Sequence, residues 1–219
     1  MFITGATGYV GSRLAAALVE RGHPVKALVR PPSLSRLPAG CEPIVGDALH
    51  GLSYAGSIAH SHTFIHLVGV SHPGPAKAQD FLKVDLASVD AAVAAALVSD
   101  IRHFIYVSVA HPAPVMKAYV AARQKAEEII RGSGIPATIV RPWYVLGPGH
   151  RWPYLLLPAY SLLRWIPATR ESARRLGMVT LGQMVAALVH AVEDPVDGGV
   201  RIIDVPAIRQ SGSRLSLPV

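Results

Sequence analysis

Thr4-Gly5-Ala6-Thr7-Gly8-Tyr9-Val10-Gly11 lies between a short apolar run at residues 1–4 and GSRLAAALVER at 11–21, whose apolar spacing predicts a helix. Glycines between strand and helix have separate uses. Gly5 permits a tight turn, Gly8 lets backbone come close to a pyrophosphate, and Gly11 lets helix and sheet pack closely. The helix N-terminus then offers N–H groups and a positive dipole end to phosphates, so residues 5–11 form a candidate dinucleotide loop. The spacing is G-x-x-G-x-x-G rather than the commoner G-x-G-x-x-G, and the position between strand and helix carries the reading.

Outward from the loop, strand-like and helix-like runs alternate. Strands are expected at 24–30, 43–45, 63–68, 103–109, 137–140 and 200–205. Helices are expected at 11–21, 80–98, 115–131 and 181–192, with Gly22 capping the first and residues 210–219 fraying. The strands read as continuous apolar runs, as in a parallel sheet covered on both faces. Alternation of this kind implies right-handed crossovers, so the expected fold is α/β: a doubly wound, Rossmann-like parallel sheet with helices on both faces. No linker divides the chain, and residues 1–219 are expected to form a single domain.

Composition narrows the class. Of 219 residues, 51% are hydrophobic and 16% charged, enough apolar content to build a core and to exclude wholesale disorder. The lone cysteine, Cys41, excludes an internal disulfide, and no leader or membrane-spanning run is evident, so a cytoplasmic protein is expected. The net charge of +7 suits anionic ligands, but no nucleic-acid motif is present and no nucleic-acid partner is expected.

The second expected strand ends at Arg30, where an acid would meet the 2′-hydroxyl of an adenosine ribose. Arginine instead suits a 2′-phosphate, with Arg13 and Arg36 able to help, and the expected cofactor is NADP(H). Asp47 follows the third strand and can accept from an adenine amino group or cap its own turn. His60, His62 and His66 lack further ligands at a motif spacing. They are read as structural or exposed, with no metal expected.

TGATGYVG, ALVR, GDAL, FIHLVG, FIYVSV and VRPWYVLGPG occur in this order. In that order they resemble the atypical short-chain dehydrogenase/reductase superfamily, most nearly its NmrA-like, NAD(P)H-binding branch. That branch has relatives among sugar-nucleotide epimerases and the NADPH-binding accessory subunit of respiratory complex I. The resemblance implies nucleotide across the carboxyl ends of the strands, with Leu67, Val68 and Gly69 beside it. It also implies an active site of a serine after the fifth strand and a Tyr-x-x-x-Lys on the next helix. Ser108 and Tyr119 fill two of these places, and Arg123 stands in the lysine slot. The implied activities are an oxidoreductase, a non-catalytic NADP(H) sensor or assembly factor, or an epimerase/dehydratase.

Between residues 141 and 175 lie six arginines, at 141, 151, 164, 170, 174 and 175, and one acid, Glu171. Aromatics and leucines, Trp152 and Tyr154 among them, are interspersed with prolines 153, 158 and 167. Residues 143–175 are expected to wall the substrate side of the cleft or to face a partner, with an apolar or anionic small molecule as substrate.

Overall fold

The computed structural model describes residues 1–70, 74, 77–148 and 176–214. Seven short strands form one parallel sheet. They are β1 (Phe2–Thr4), β2 (Lys26–Val29), β3 (Glu42–Val45), β4 (Thr63–His66), β5 (His103–Val107), β6 (Ala137–Val140) and β9 (Val200–Ile203), in the order β3-β2-β1-β4-β5-β6-β9. A two-stranded parallel sheet, β7 (Tyr144–Leu146) with β8 (Met178–Thr180), stands apart from it.

Side chains alternate along each strand, so each sheet face carries its own core. Ile3, Ile65 and Ile105 pack under α1 (Tyr9–Glu20), α6 (Leu181–Glu193) and α7 (Val205–Arg214). On the other face, Phe2, Phe64 and Phe104 are in register on adjacent strands, with ring centroids 5.2 and 5.1 Å apart. They pack against the short helix α2 (Gly51–Tyr54), α4 (Ala87–Val98) and α5 (Lys117–Gly132). The expected doubly wound sheet is therefore present.

Several bounds depart from expectation: the strands expected at 63–68, 103–109 and 200–205 end at His66, Val107 and Ile203, with Val205 opening a helix. The second strand spans Lys26–Val29 rather than residues 24–30. The helix expected at 80–98 begins as a turn, α3 (Ala78–Asp80), and passes through a π-helical stretch, Phe81–Leu86, before α4. That wider winding buries both Phe81 and Asp85. Residues 210–214 belong to α7 instead of a frayed tail. Val205 and Ile208 of α7 are buried, and the Arg209 guanidinium donates to the Met178 carbonyl at 2.9 and 2.7 Å. Residues 215–219 lie outside the described residues. The cap on α1 is as expected: Gly22, with positive φ, donates to Val19 O at 2.9 Å and His23 donates to Leu18 O at 3.0 Å. Among the described residues, no helix is long and apolar enough to cross a membrane.

His66 is fully buried at the end of β4. Its Nδ1 lies 2.9 Å from Thr4 Oγ1 and its Nε2 3.1 Å from Ser88 Oγ. Ser88 donates to Asp85 O, so the ring is a neutral imidazole that donates through Nε2 and accepts through Nδ1. Burial, reinforced by the nearby Arg123 charge, lowers its pKa to about 3. A base whose pKa is depressed on folding stabilises fully above its unfolded value of 6.5, and that contribution is lost as pH falls toward 3. The melting temperature should therefore drop between pH 7 and 4. In His66→Gln, which cannot titrate, this part of the slope should vanish. Parallel slopes for the two proteins would show that His66 is not responsible.

Candidate cofactor and active site

The sheet order reverses direction between β1 and β4, and the loops after these strands meet there. Gly5 turns the chain with φ of +80°, and a Cβ on it would come within 2.8 Å of the Leu67 carbonyl. Gly11 fits closer still: a Cβ there would overlap the Gly5 carbonyl oxygen. Gly8 forms the exposed N-cap of α1, and its N–H donates to Gly5 O at 3.0 Å. No side chain caps this helix start, so its first-turn N–H groups face outward. Ala6 is buried and presents only backbone, whereas Thr7, Tyr9 and Val10 are half-buried around the turn. A diphosphate needs this kind of cradle, close backbone approach at a positive helix end, and the residues present fit it.

Arg30 is exposed immediately after β2. Arg13, on the exposed side of α1, donates to Tyr9 O at 3.3 Å and sits 5.3 Å over the Tyr9 ring. Arg36 donates to Ser33 Oγ at 2.8 Å. Asp47 is exposed, and its Oδ1 accepts from the Leu49 N–H at 3.0 Å, capping its own turn. Leu67, Val68 and Gly69 are half-buried beyond β4, and Leu67 donates to Thr4 O at 3.1 Å.

The residues matching the active-site pattern sit at the ends of β5 and α5. Tyr119 and Arg123 are one helical turn apart, with the guanidinium 5.2 Å from the tyrosine ring centroid. The other face of the Tyr119 environment is Phe81, 5.0 Å away centroid to centroid. Arg123 is buried. It pairs with Asp85 at 2.5 Å and donates to Tyr106 Oη at 3.1 Å and to Val107 O at 2.9 Å. Burial pushes the Tyr106 phenol up to about 12 against the opposing pull of Arg123, so Tyr106 stays neutral.

Ser108 follows β5, buried, and its hydroxyl lies 2.6 Å from Glu127 Oε1. Glu127 is also clamped by Arg141, whose Nε donates to Oε1 at 2.9 Å and whose Nη2 donates to Oε2, and His111 Nε2 lies 3.4 Å from Oε1. Burial alone would raise the Glu127 pKa, but bonds from Arg141 and Ser108 outweigh it and hold the carboxyl below its ordinary value. An ionised carboxylate only accepts, so the single Ser108 proton points at Glu127.

Asp85, Tyr106 and Glu127 were not singled out in the sequence, and Arg141 entered only as the first arginine of the 141–175 stretch. Helical phase held a signal for one of them. Val120, Arg123, Ala126, Glu127 and Ile130 share the buried face of α5, which places two charges where apolar residues belong. Residues 149–175, most of the expected substrate wall, lie outside the described residues, and so do Trp152 and Tyr154.

Parallel sheets of this order bind dinucleotides where the strand order reverses, and a glycine cradle occupies that point here. The fold and its glycine turn are those of a dinucleotide-binding protein. The chain belongs to the NAD(P)H-binding family, whose profile matches residues 5–151. It is 27% identical over 205 residues to ceramide reductase of Caulobacter vibrioides, covering 93% of this chain and 64% of that protein. It is 27% identical over 168 residues to the 4-hydroxy-2-methyl-3-oxo-4-farnesyl-3,4-dihydroquinoline-1-oxide ketoreductase of Stigmatella aurantiaca, covering 67% of this chain and 50% of that protein. The chain thus spans less than two thirds of the length of either relative. MoeE5 in complex with UDP-glucose and NAD has a similar fold, with a TM-score of 0.69 at 20% identity over 98% of this chain and 81% of that one.

Proposed function

We propose that the protein is an NADP(H)-dependent oxidoreductase acting on a carbonyl or alcohol group of an apolar small molecule. The observation that carries this reading is the meeting of α5 with the loop after β4. Arg123 lies against Gly69 and under the Tyr119 ring, a link between α5 and the loop after β4 that supports a proton role for Tyr119 beside a bound cofactor. Residues 5–11 would hold the diphosphate, Arg30 the 2′-phosphate, Asp47 the adenine side, and residues 67–69 the ribose. The nicotinamide, when bound, supplies a hydride donor or acceptor. Tyr119 gives a proton to the substrate oxygen or takes it away, and Ser108 would orient that oxygen once its proton turns from Glu127. Arg123 fixes the tyrosine ring from beneath. The substrate names of the ceramide reductase and the farnesyl-quinoline ketoreductase support an apolar substrate body.

Calorimetric titration should find NADPH bound more tightly than NADH. Arg30→Ala should lose about 1.5–3 kcal/mol with NADPH alone, roughly ten- to hundred-fold in affinity. Tyr119→Phe should stop carbonyl reduction and leave NADPH affinity within about two-fold, because the lost proton donor typically contributes ~10²–10⁴-fold to rate. Equal affinities for both cofactors, or normal turnover by Tyr119→Phe, would defeat the assignment.

Two contacts favour a second reading, a non-catalytic NADP(H) sensor or assembly factor. The Ser108 proton is committed to Glu127, and the Arg123 charge is met by Asp85. On this reading the protein binds NADPH but oxidises none of it with a panel of carbonyls and quinones.

A further inference from the structure

We propose that Asp85 and Arg123 form a latch that holds the loop after β4 in its cofactor-binding position, which makes Asp85 a positioning residue for NAD(P)H. The proposal rests on the reading above, that residues 67–69 border the cofactor.

The two side chains tie four segments together. Asp85 comes from the π-helical stretch that precedes α4. One of its oxygens pairs with Arg123 of α5 at 2.5 Å, and the other accepts from the Val70 N–H at 3.0 Å. Arg123 in turn donates to the Val107 carbonyl at the end of β5 and to Tyr106. The guanidinium also fills the space beside Gly69, where even a methyl group would overlap it. The loop is therefore fastened on two sides. Leu67 is bonded to Thr4 of β1, and Val70 is bonded through Asp85 to α5.

A buried ion pair is weak support for stability by itself, because removing two charges from water offsets much of their attraction. Its best-supported use is to specify one arrangement among several. Here the arrangement specified is the distance between α5 and the loop that faces Gly5. This assigns Arg123 a task other than that of the mobile ammonium in a Tyr-x-x-x-Lys site. Its Nη1 donates to Tyr106 and Val107 and its Nη2 pairs with Asp85, while its Nε is buried without a partner among the described residues and its charge sits beside a carboxylate.

The test uses the full chain and two variants that open the latch from opposite sides. Asp85→Asn removes the carboxylate, and Gly69→Ala pushes the guanidinium away. Hydrogen exchange at the Val70 amide is measured without cofactor, and NADPH affinity is measured by calorimetry. Each variant should speed exchange at Val70 and weaken NADPH by about ten-fold, within the range usual for coupling inside one fold. The double variant should be no weaker than the worse single one, since both break the same contact. Multiplying effects, or weaker NADPH binding with unchanged exchange at Val70, would overturn the latch. So would faster exchange with unchanged affinity. If Asp85→Asn does not fold, Asp85→Asn/Arg123→Gln leaves no lone buried charge and should reproduce the Gly69→Ala result, and wild-type values in it would overturn the proposal. Gly11→Ala separates the two layers. Undiminished NADPH binding in that variant rejects the cofactor site itself, whereas lost binding there with wild-type behaviour in the latch variants rejects only the latch.

Discussion

Gly11→Ala is expected to abolish NAD(P)H binding. The added methyl group would overlap the Gly5 carbonyl oxygen, and backbone faces backbone, so no side chain can swing aside. Relief requires the loop to lift away from α1. A misplacement of about 1 Å in a positioning element can cost about 10²-fold. Overpacking should also lower stability by about 1–3 kcal/mol. Gly56→Ala is the matched control, since nothing lies within 4 Å of a Cβ at that site. Calorimetric titration of the two variants with NADPH and NADH decides the matter. Gly11→Ala binding as well as Gly56→Ala would mean that the cofactor sits elsewhere.

Glu127→Ala should be the most destabilising substitution outside the apolar core. It removes the acceptor shared by Ser108, His111 and Arg141 and leaves the Arg141 charge without its carboxylate. Breaking a buried pair from one side costs about 3–5 kcal/mol, and the lower end applies because Arg141 is partly exposed. Urea denaturation measures this directly, and a loss below about 0.5 kcal/mol would place Glu127 with ordinary surface residues. The acid limb gives a second reading. The Glu127 carboxyl is depressed on folding, so its contribution is complete above the ordinary glutamate value of 4.5 and is lost as pH falls through the folded value. Glu127→Gln should flatten that limb.

The cofactor half of the site was legible because its chemistry is local. Gly5, Gly8 and Gly11 lie within one turn and one helix start, and their meaning depends on neighbours in sequence. The polar half was only partly legible. Ser108, Tyr119 and Arg123 stand at recognisable places, but what each one does is set by Asp85 and Glu127, which reach them through tertiary packing. The fold divides in the same way. Continuous apolar runs announced the sheet. Helix α7 went unread because VPAIRQSGSR carries a proline, a glycine and three serines or glutamines that promise little helix. Burial of Val205 and Ile208, with Arg209 anchored on Met178, stabilises it from outside. Strands β7 and β8 have three residues each, too short for any periodicity to register.

The small β7–β8 sheet has a practical meaning for protein engineering. Leu146 is paired with Thr180 and Tyr144 with Met178, so in this parallel pair the chain leaves at the far end of β7 and re-enters at the near end of β8. Paired strands lie about 4.8 Å apart and rise about 3.3 Å per residue, so the ends of whatever is spliced between them are held about 8 Å apart, one on each strand. The NAD(P)H-binding family match ends at residue 151, close to the first of these points. A sequence from another member of the family can therefore be grafted between Gly147 and Met178 as a cassette. The glycine cradle, the Asp85–Arg123 pair and the Glu127 cluster would all remain on the recipient side of the junctions.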